Sequence, residues 1–191
     1  MKRDGVGNYT STETLRDRRS VTIRAIRPDD KGSLIDALNK VSSQSLYFRL
    51  FSGKRKFSDE EMKQLTAVDF VNVVALVAVL EKDGVDQIVG GGRYVRISTS
   101  GTGQNAEVAF LIDDAHQGLG IGSRIFKHLV QIARESGITH FEAEVLPTNA
   151  PMLNLFARSG LPVEKTLTGG SVHVTIQLAT EEAGSGGNRT G

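Results

Sequence analysis

From Ala106 to Gly122 the chain reads AEVAFLIDDAHQGLGIG: an apolar run, a short polar turn, then glycines at Gly118, Gly120 and Gly122. The residues that follow carry Ile121, Ile125, Leu129, Ile132 and Ala133 at helical spacing. A strand over Ala106–Ile112 and an amphipathic helix must therefore meet across a glycine loop. Such a loop lets backbone approach a ligand closely, and the helix start offers unpaired N–H groups and the positive end of its dipole. The combination suits a phosphate or pyrophosphate, and an ordinary tight turn uses the same residues.

Two nucleotide motifs fail on these residues. A dinucleotide fingerprint counted from Gly118 needs glycine where Ser123 stands, and a Walker loop needs a lysine that Ile121-Gly122-Ser123 lacks. The hexapeptide Gln117-Gly118-Leu119-Gly120-Ile121-Gly122 is similar to the Q/R-x-x-G-x-G/A signature of the GNAT superfamily of acyl-CoA N-acyltransferases.

At 191 residues the chain suits one domain with a substantial core. A hydrophobic content of 39% with 24% charged residues is that of a soluble globular protein. The net charge of +1 gives no strong field for nucleic acid or membrane. The absence of cysteine excludes disulfides, thiolate zinc sites and a cysteine nucleophile. His116, His128, His140 and His173 have no metal-ligand spacing, so no metal is expected. The N-terminus lacks the apolar core of a signal peptide and no run approaches membrane-spanning length, so a cytoplasmic protein is expected.

Residues 1–20 are polar and aperiodic and read as a disordered or arm-like tail, as does the stretch over 180–191, leaving a domain over 21–179. Order begins with an alternating strand over Val21–Ile26, closed by Arg27-Pro28. Asp29 or Asp30 can cap a helix carrying Leu34, Ile35, Leu38 and Val41, and Ser42 or Ser43 can open a second piece through Phe51. Ser58 with Glu61 forms a capping-box pattern ahead of Met62 and Leu65. The continuous run Val73–Leu80 predicts a strand buried on both faces. Gln87–Ile97 is its hairpin partner after the Asp83-Gly84 turn, with a bulge or close approach at Gly90–Gly92. A loop over 98–105 precedes the strand Ala106–Ile112. Three successive strands without helices between them predict an antiparallel meander and rule further against a dinucleotide site. Gly137 stops the glycine-loop helix, and His140–Leu146 is a strand. Thr148 or Asn149 caps a helix with Pro151 in its first turn, and a closing hairpin pairs Val163–Leu167 with Val172–Leu178.

This order, with the loop signature after the fourth strand, resembles the GNAT fold, an α/β (α+β) architecture with a mixed, mostly antiparallel sheet flanked by helices on both faces. The segment Val145-Leu146-Pro147-Thr148-Asn149-Ala150-Pro151-Met152, followed by Ser159-Gly160-Leu161, is similar to the second half of that family's signature, with Leu161 where phenylalanine is usual. Upstream, Ile23–Asp30, Val41–Phe51, Thr66–Phe70 and Gly91–Tyr94 resemble the acetyltransferase domain of Pat-type bacterial protein lysine acetyltransferases. The likeness covers roughly residues 21 to 178 and extends to no fused regulatory domain.

The resemblance implies acetyl-CoA as co-substrate and a lysine of a protein, such as an acyl-CoA synthetase, as acceptor. A lysine amine has a pKa of about 10.4, so near neutral pH only on the order of one in a thousand is nucleophilic and a general base helps. Glu107 aligns with the glutamate that Pat-type enzymes use as that base, and desolvation there would raise its pKa; by residue type alone it is a strand-edge carboxylate facing water. Pyrophosphate binding falls to Gln117, Gly118, Leu119, Gly120, Ile121 and Gly122, with a hydroxyl from Ser123. Phe110, Leu111 and Ile112 are implied to present backbone groups to the pantetheine arm, with an oxyanion donor near Leu111 or Ile112. Asn149 is a helix cap or a cofactor contact, and Arg124 a solvated charge or a phosphate contact.

Many GNAT enzymes carry a tyrosine acid where this chain has Phe156, which cannot protonate a thiolate. Tyr47 and Tyr94 read as half-buried packing residues, Glu142 and Glu144 as mainly structural, and Arg49 with Lys54-Arg55-Lys56 as a solvated face or a site for an acidic surface. A GNAT enzyme acting on a small amine and a catalytically silent acyl-CoA-binding module are the alternatives.

Overall fold

The computed structural model describes residues 3–50, 57–97 and 104–178. A helical turn α1 (Arg3–Val6) leads into strands β1 (Thr10–Thr14) and β2 (Ser20–Ala25). A 3-10 turn over Pro28–Asp30 opens three helices: α2 (Lys31–Lys40), α3 (Ser43–Leu50) and α4 (Asp59–Thr66). The meander follows as β3 (Val73–Lys82), β4 (Val85–Ile97) and β5 (Asn105–Ile112). Then come α5 (Ile121–Glu135), β6 (His140–Val145), α6 (Ala150–Ala157), β7 (Val163–Thr168) and β8 (Ser171–Gln177).

The eight strands form one sheet in the order β1-β2-β3-β4-β5-β6-β8-β7, antiparallel throughout except for the parallel pair β5–β6. That exception follows from connectivity, since α5 carries the chain over from β5 to β6, whereas α6 and β7 intervene between β6 and its neighbour β8 and the remaining neighbours meet through hairpins or the α2–α4 excursion. β3 is buried on both faces, as its continuous apolar run predicts. Its even residues Val74, Leu76, Ala78 and Leu80 join α5 in the main core. Its odd residues Ala75, Val77 and Val79 join Ile26 and Ala37 in a second cluster under α2. Over β6, β8 and β7 none of the described helices covers this second face: Glu144 and β7 beyond Val163 are exposed, and Glu142, His173 and Thr175 half-buried.

Glycine answers to packing at Gly92, where a Cβ would lie 2.5 Å from the Phe110 ring and 2.7 Å from Ile125. The register of β3 against β4 shifts between Ala78 and Val79, so the expected bulge is also there. The Ser58–Glu61 capping box forms at the start of α4. Asp30, by contrast, gives α2 no side-chain cap: it is buried in a bidentate pair with Arg24 at 2.7 and 2.8 Å and accepts from the Arg27 N–H.

The main correction concerns residues 1–20. Thr10–Thr14 forms an edge strand paired with β2 from Thr10↔Arg24 to Thr14↔Ser20, and Val6 and Leu15 are buried beside it. TSTET holds no apolar residue, so hydrophobic periodicity gives no signal, while β-branched threonines on an exposed edge fit a strand well. The loop over 98–103, the basic run Lys54-Arg55-Lys56 and the C-terminal stretch over 180–191 lie outside the described residues.

Candidate active site

β5 and β6 run side by side only from Asn105↔His140 to Glu107↔Glu142, then part. β5 keeps its pairing with β4 out to Gly90↔Ile112, and β6 keeps its pairing with β8 out to Val145↔Val172. A wedge-shaped cleft of about 1320 Å³ opens between them, lined by both strands, the glycine loop, α3 and α6.

The alternation of backbone groups along β5 determines what faces the cleft. The Asp113 N–H donates to the Val89 carbonyl on β4, whereas the Gln104 carbonyl accepts from Thr139 on the β6 side. Even-numbered residues therefore turn their N–H and C=O groups toward β6 and odd-numbered ones toward β4. Past the last β6 pair, the main-chain groups of Val108, Phe110 and Ile112 meet the cleft, and those of Leu111 do not. Of the two expected oxyanion donors, only the Ile112 N–H has this orientation. The Ile112 carbonyl accepts from Gln117 Nε2 at 3.2 Å, so the Gln117 side chain bridges strand and loop.

The glycine loop is conformationally forced. Gly118 and Gly120 have φ of +77° and +88°, a region that side chains with a Cβ enter at about 1–2 kcal/mol. Gly120 is the residue before the first turn of α5 and makes no side-chain cap, so the first N–H groups of that helix are left toward the cleft. Gly122 is needed for packing, since a Cβ there would lie 2.9 Å from Leu155 on α6. Leu119 packs against the core, Ile121 is fully buried, and Ser123 is exposed on the cleft wall.

Arg124 is half-buried and not a solvated charge. Its Nη1 donates to the Gly120 carbonyl at 3.1 Å and its Nη2 to the Thr14 carbonyl, tying the loop to the end of β1. Asn149 is buried and caps α6, its Oδ1 accepting from Met152 N at 3.2 Å. Phe156 is fully buried, its ring centroid 5.6 Å from that of Phe126 and 6.3 Å from that of Phe110. Nothing at that position can donate a proton.

Glu107 stands on the last paired rung, opposite Val95 and Glu142, on the sheet face that lacks α5. Its side chain is exposed and lines the cleft. Arg49 from α3 and Arg93 from β4 stand near it. Burial pulls the Arg49 guanidinium below its usual range, Arg93 adds to this, and Glu107 opposes it. Burial lowers Arg93 likewise, again against Glu107. Both arginines remain cations at neutral pH.

Beyond Glu107, the open face carries Glu142, which accepts from Asn105 Nδ2 at 2.6 Å. Glu144 accepts from Ser171 Oγ and pairs with His173 Nδ1, each at 2.6 Å. These bonds hold Glu144 below the usual carboxylate range despite slight burial. Tyr47 is exposed and Tyr94 fully buried against Phe141, so neither is the half-buried residue expected.

Sequence reasoning missed the clamp that positions α3. Asp114, just after β5, accepts from Ser42 N at 2.8 Å, Ser42 Oγ at 2.9 Å and Ser45 Oγ at 2.8 Å. Partial burial would raise its pKa, but these bonds hold it lowered. The Ser42-x-x-Ser45 pattern before a helix was a visible cap signal; its distant carboxylate partner was not.

The region over residues 44–161 matches the acetyltransferase (GNAT) family model. The chain is 30% identical over 148 residues to acetyltransferase PA5475 of Pseudomonas aeruginosa, with 78% of each covered. It is 31% identical over 138 residues to acetyltransferase Pat of Mycolicibacterium smegmatis, covering 72% of this chain and 40% of that protein. The crystal structure of the GNAT domain of S. lividans PAT superposes with a TM-score of 0.79 at 34% identity, covering 88% of this chain and 96% of that one. A cleft with free main-chain donors along one strand, ending at a glycine loop on a helix start, fits a long phosphate-bearing thioester. The chain belongs to the GNAT acetyltransferase family, and its co-substrate is acetyl-CoA.

Proposed function

We propose that this acetyltransferase modifies the ε-amine of a lysine on a protein, such as an acyl-CoA synthetase, with Glu107 as general base and in the cytoplasm. The observation that carries the reading is the position of Glu107 on the last rung before β5 and β6 part. An acceptor reaching the cleft from the uncovered face meets this carboxylate beside the free main-chain groups of β5. That face spans β6, β8 and β7 with exposed polar side chains, which suits a lysine on a protein surface. The resemblance of the upstream segments Ile23–Asp30 and Val41–Phe51 to Pat-type protein lysine acetyltransferases supports this acceptor class.

Acetyl-CoA supplies a thioester carbonyl open to attack by an amine. The Val108, Phe110 and Ile112 main chain would hold the pantetheine arm, and the loop from Gln117 to Gly122 with the Ser123 hydroxyl would hold the pyrophosphate. The Ile112 N–H is aimed into the cleft, where it stabilises negative charge developing on the carbonyl oxygen. Glu107 takes the amine proton through water, since five extended residues of β5, on the order of 16 Å, separate it from Ile112, and its exposure leaves room for that water. The CoA thiolate leaves without an acid and takes its proton from solvent, since Phe156 offers none and a thiolate is a fair leaving group.

Incubation with acetyl-CoA and an acyl-CoA synthetase, read by intact-mass spectrometry, tests the acceptor. An acetyl increment on the synthetase is the expected result. CoA release with small amines and no increment would overturn the protein acceptor while keeping the enzyme. No transfer to either acceptor, with acetyl-CoA still bound, would identify a silent acyl-CoA-binding module.

A further inference from the structure

The outer side of the glycine loop is held by the N-terminal segment. The Arg16 N–H donates to the Leu119 carbonyl at 3.3 Å, and Arg16 Nη1 donates to the Gly118 carbonyl at 3.0 Å. Arg124 takes the Gly120 carbonyl and reaches Thr14. Three consecutive loop carbonyls are thus engaged by these two arginines, so none of them competes with an anion for the loop's N–H groups.

Arg16 itself is fixed. It follows β1 and the buried Leu15, and the hairpin is closed by Leu15 N to Arg19 O at 2.8 Å and Arg18 N to Leu15 O at 3.0 Å. At the other end of β1, the Tyr9 hydroxyl meets His128 of α5 at 2.5 Å. The Arg16 guanidinium lines the cofactor cleft, with Nε 3.7 Å from where a Cβ on Gly120 would stand. It is exposed and pairs with no carboxylate among the described residues, whereas Arg19 pairs with Asp17. One Nη1 proton is engaged by Gly118, and the remaining N–H fork is open beside the loop.

We propose that Arg16 is a cofactor ligand: its guanidinium binds a phosphate of acetyl-CoA, so that β1 and the turn after it complete the cofactor site. The inference rests on the loop binding the pyrophosphate. A planar cationic fork beside a loop of N–H donors matches a phosphate dianion better than any neutral part of the cofactor.

Calorimetric titration of CoA tests it, using Arg16→Gln, which keeps a donor toward Gly118 but removes the charge, and Arg16→Lys, which keeps the charge. Arg16→Gln is expected to weaken CoA about tenfold or more, with reduced salt dependence and a raised acetyl-CoA KM at unchanged kcat. Arg16→Lys should restore most of the affinity, and Arg18→Gln, a nearby exposed charge, should leave it unaltered. Repeating the titration with 3′-dephospho-CoA separates the sources. A loss that disappears identifies the adenosine 3′-phosphate as the contact, and a loss that persists identifies the pyrophosphate. Arg16→Met reads the same charge loss should the glutamine variant not fold. CoA binding by these neutral variants within twofold of wild type, at the same salt dependence, overturns the inference. Gly120→Val separates this from the underlying reading: if it too leaves CoA affinity unchanged, the loop is not the pyrophosphate site.

Discussion

The two sides of the parting between β5 and β6 are built from different materials. The proposed cofactor side is chiefly main chain: N–H groups on β5 turned to the cleft, a glycine loop at positive φ, and a helix start. The proposed acceptor side is side chains on a face that none of the described helices covers: Glu107, Glu142, Glu144 and His173, with Arg49 and Arg93 at its border. Main-chain recognition tolerates almost any side chain that preserves the backbone, so the first side is defined by conformation. The second is defined by charge and can vary while the fold stays the same.

Substitutions on either side should therefore separate binding from chemistry. The largest effect is expected from Glu107→Gln, which removes the proposed base and should slow CoA release to an acceptor by about a hundredfold or more, at unchanged acetyl-CoA KM. A comparable rise in KM with kcat intact would move Glu107 from chemistry to binding. Gly120→Val comes next, because it combines a left-handed φ of +88° with a Cβ 2.5 Å from Arg124 Nη1. Acetyl-CoA affinity measured by calorimetry should fall about tenfold or more, in line with strain of about 1–2 kcal/mol and a displaced loop.

Phe156→Tyr sharpens the comparison from inside the core. A hydroxyl placed among Phe110 and Phe126 should lower stability in urea by about 1–3 kcal/mol and bring no gain in kcat. A rate increase would show that thiolate departure is limited by the missing acid.

The smallest effect is a pH dependence at the β1–α5 contact. Burial pushes His128 below its usual value, with Lys127 adding to this and Glu13 opposing it. Its neutral ring accepts from Tyr9 at Nδ1 and faces Glu13 through Nε2 at 3.2 Å, with Arg124 also against Glu13. A histidine lowered in the folded state adds stability that is full above about pH 6.5 and declines as pH falls through its lowered pKa. Melting temperature should drop on acidification below pH 6.5, and His128→Gln should flatten that slope.

What could be read in advance follows the same division. The meander, the glycine-loop helix and the caps at Ser58 and Asn149 are local patterns of period, glycine and cap residue, and they form where expected. β1 escaped notice because an edge strand of polar residues has no apolar period. The Asp114 clamp on Ser42 and Ser45, and the grip of Arg16 on the loop, join residues 69 to 102 positions apart, and nothing local marks them. Glu107 could be singled out only through family resemblance. Its exposure agrees with what residue type alone suggests, a strand-edge carboxylate facing water.

The division of labour is tested most directly by titrating acetyl-CoA into wild type, Glu107→Gln and Gly120→Val and measuring acetyl transfer by the same samples. The account predicts wild-type affinity with lost transfer for Glu107→Gln, and weakened affinity with transfer recovered at saturating acetyl-CoA for Gly120→Val. Glu107→Gln that transfers at the wild-type rate, or that fails to bind acetyl-CoA, would contradict it.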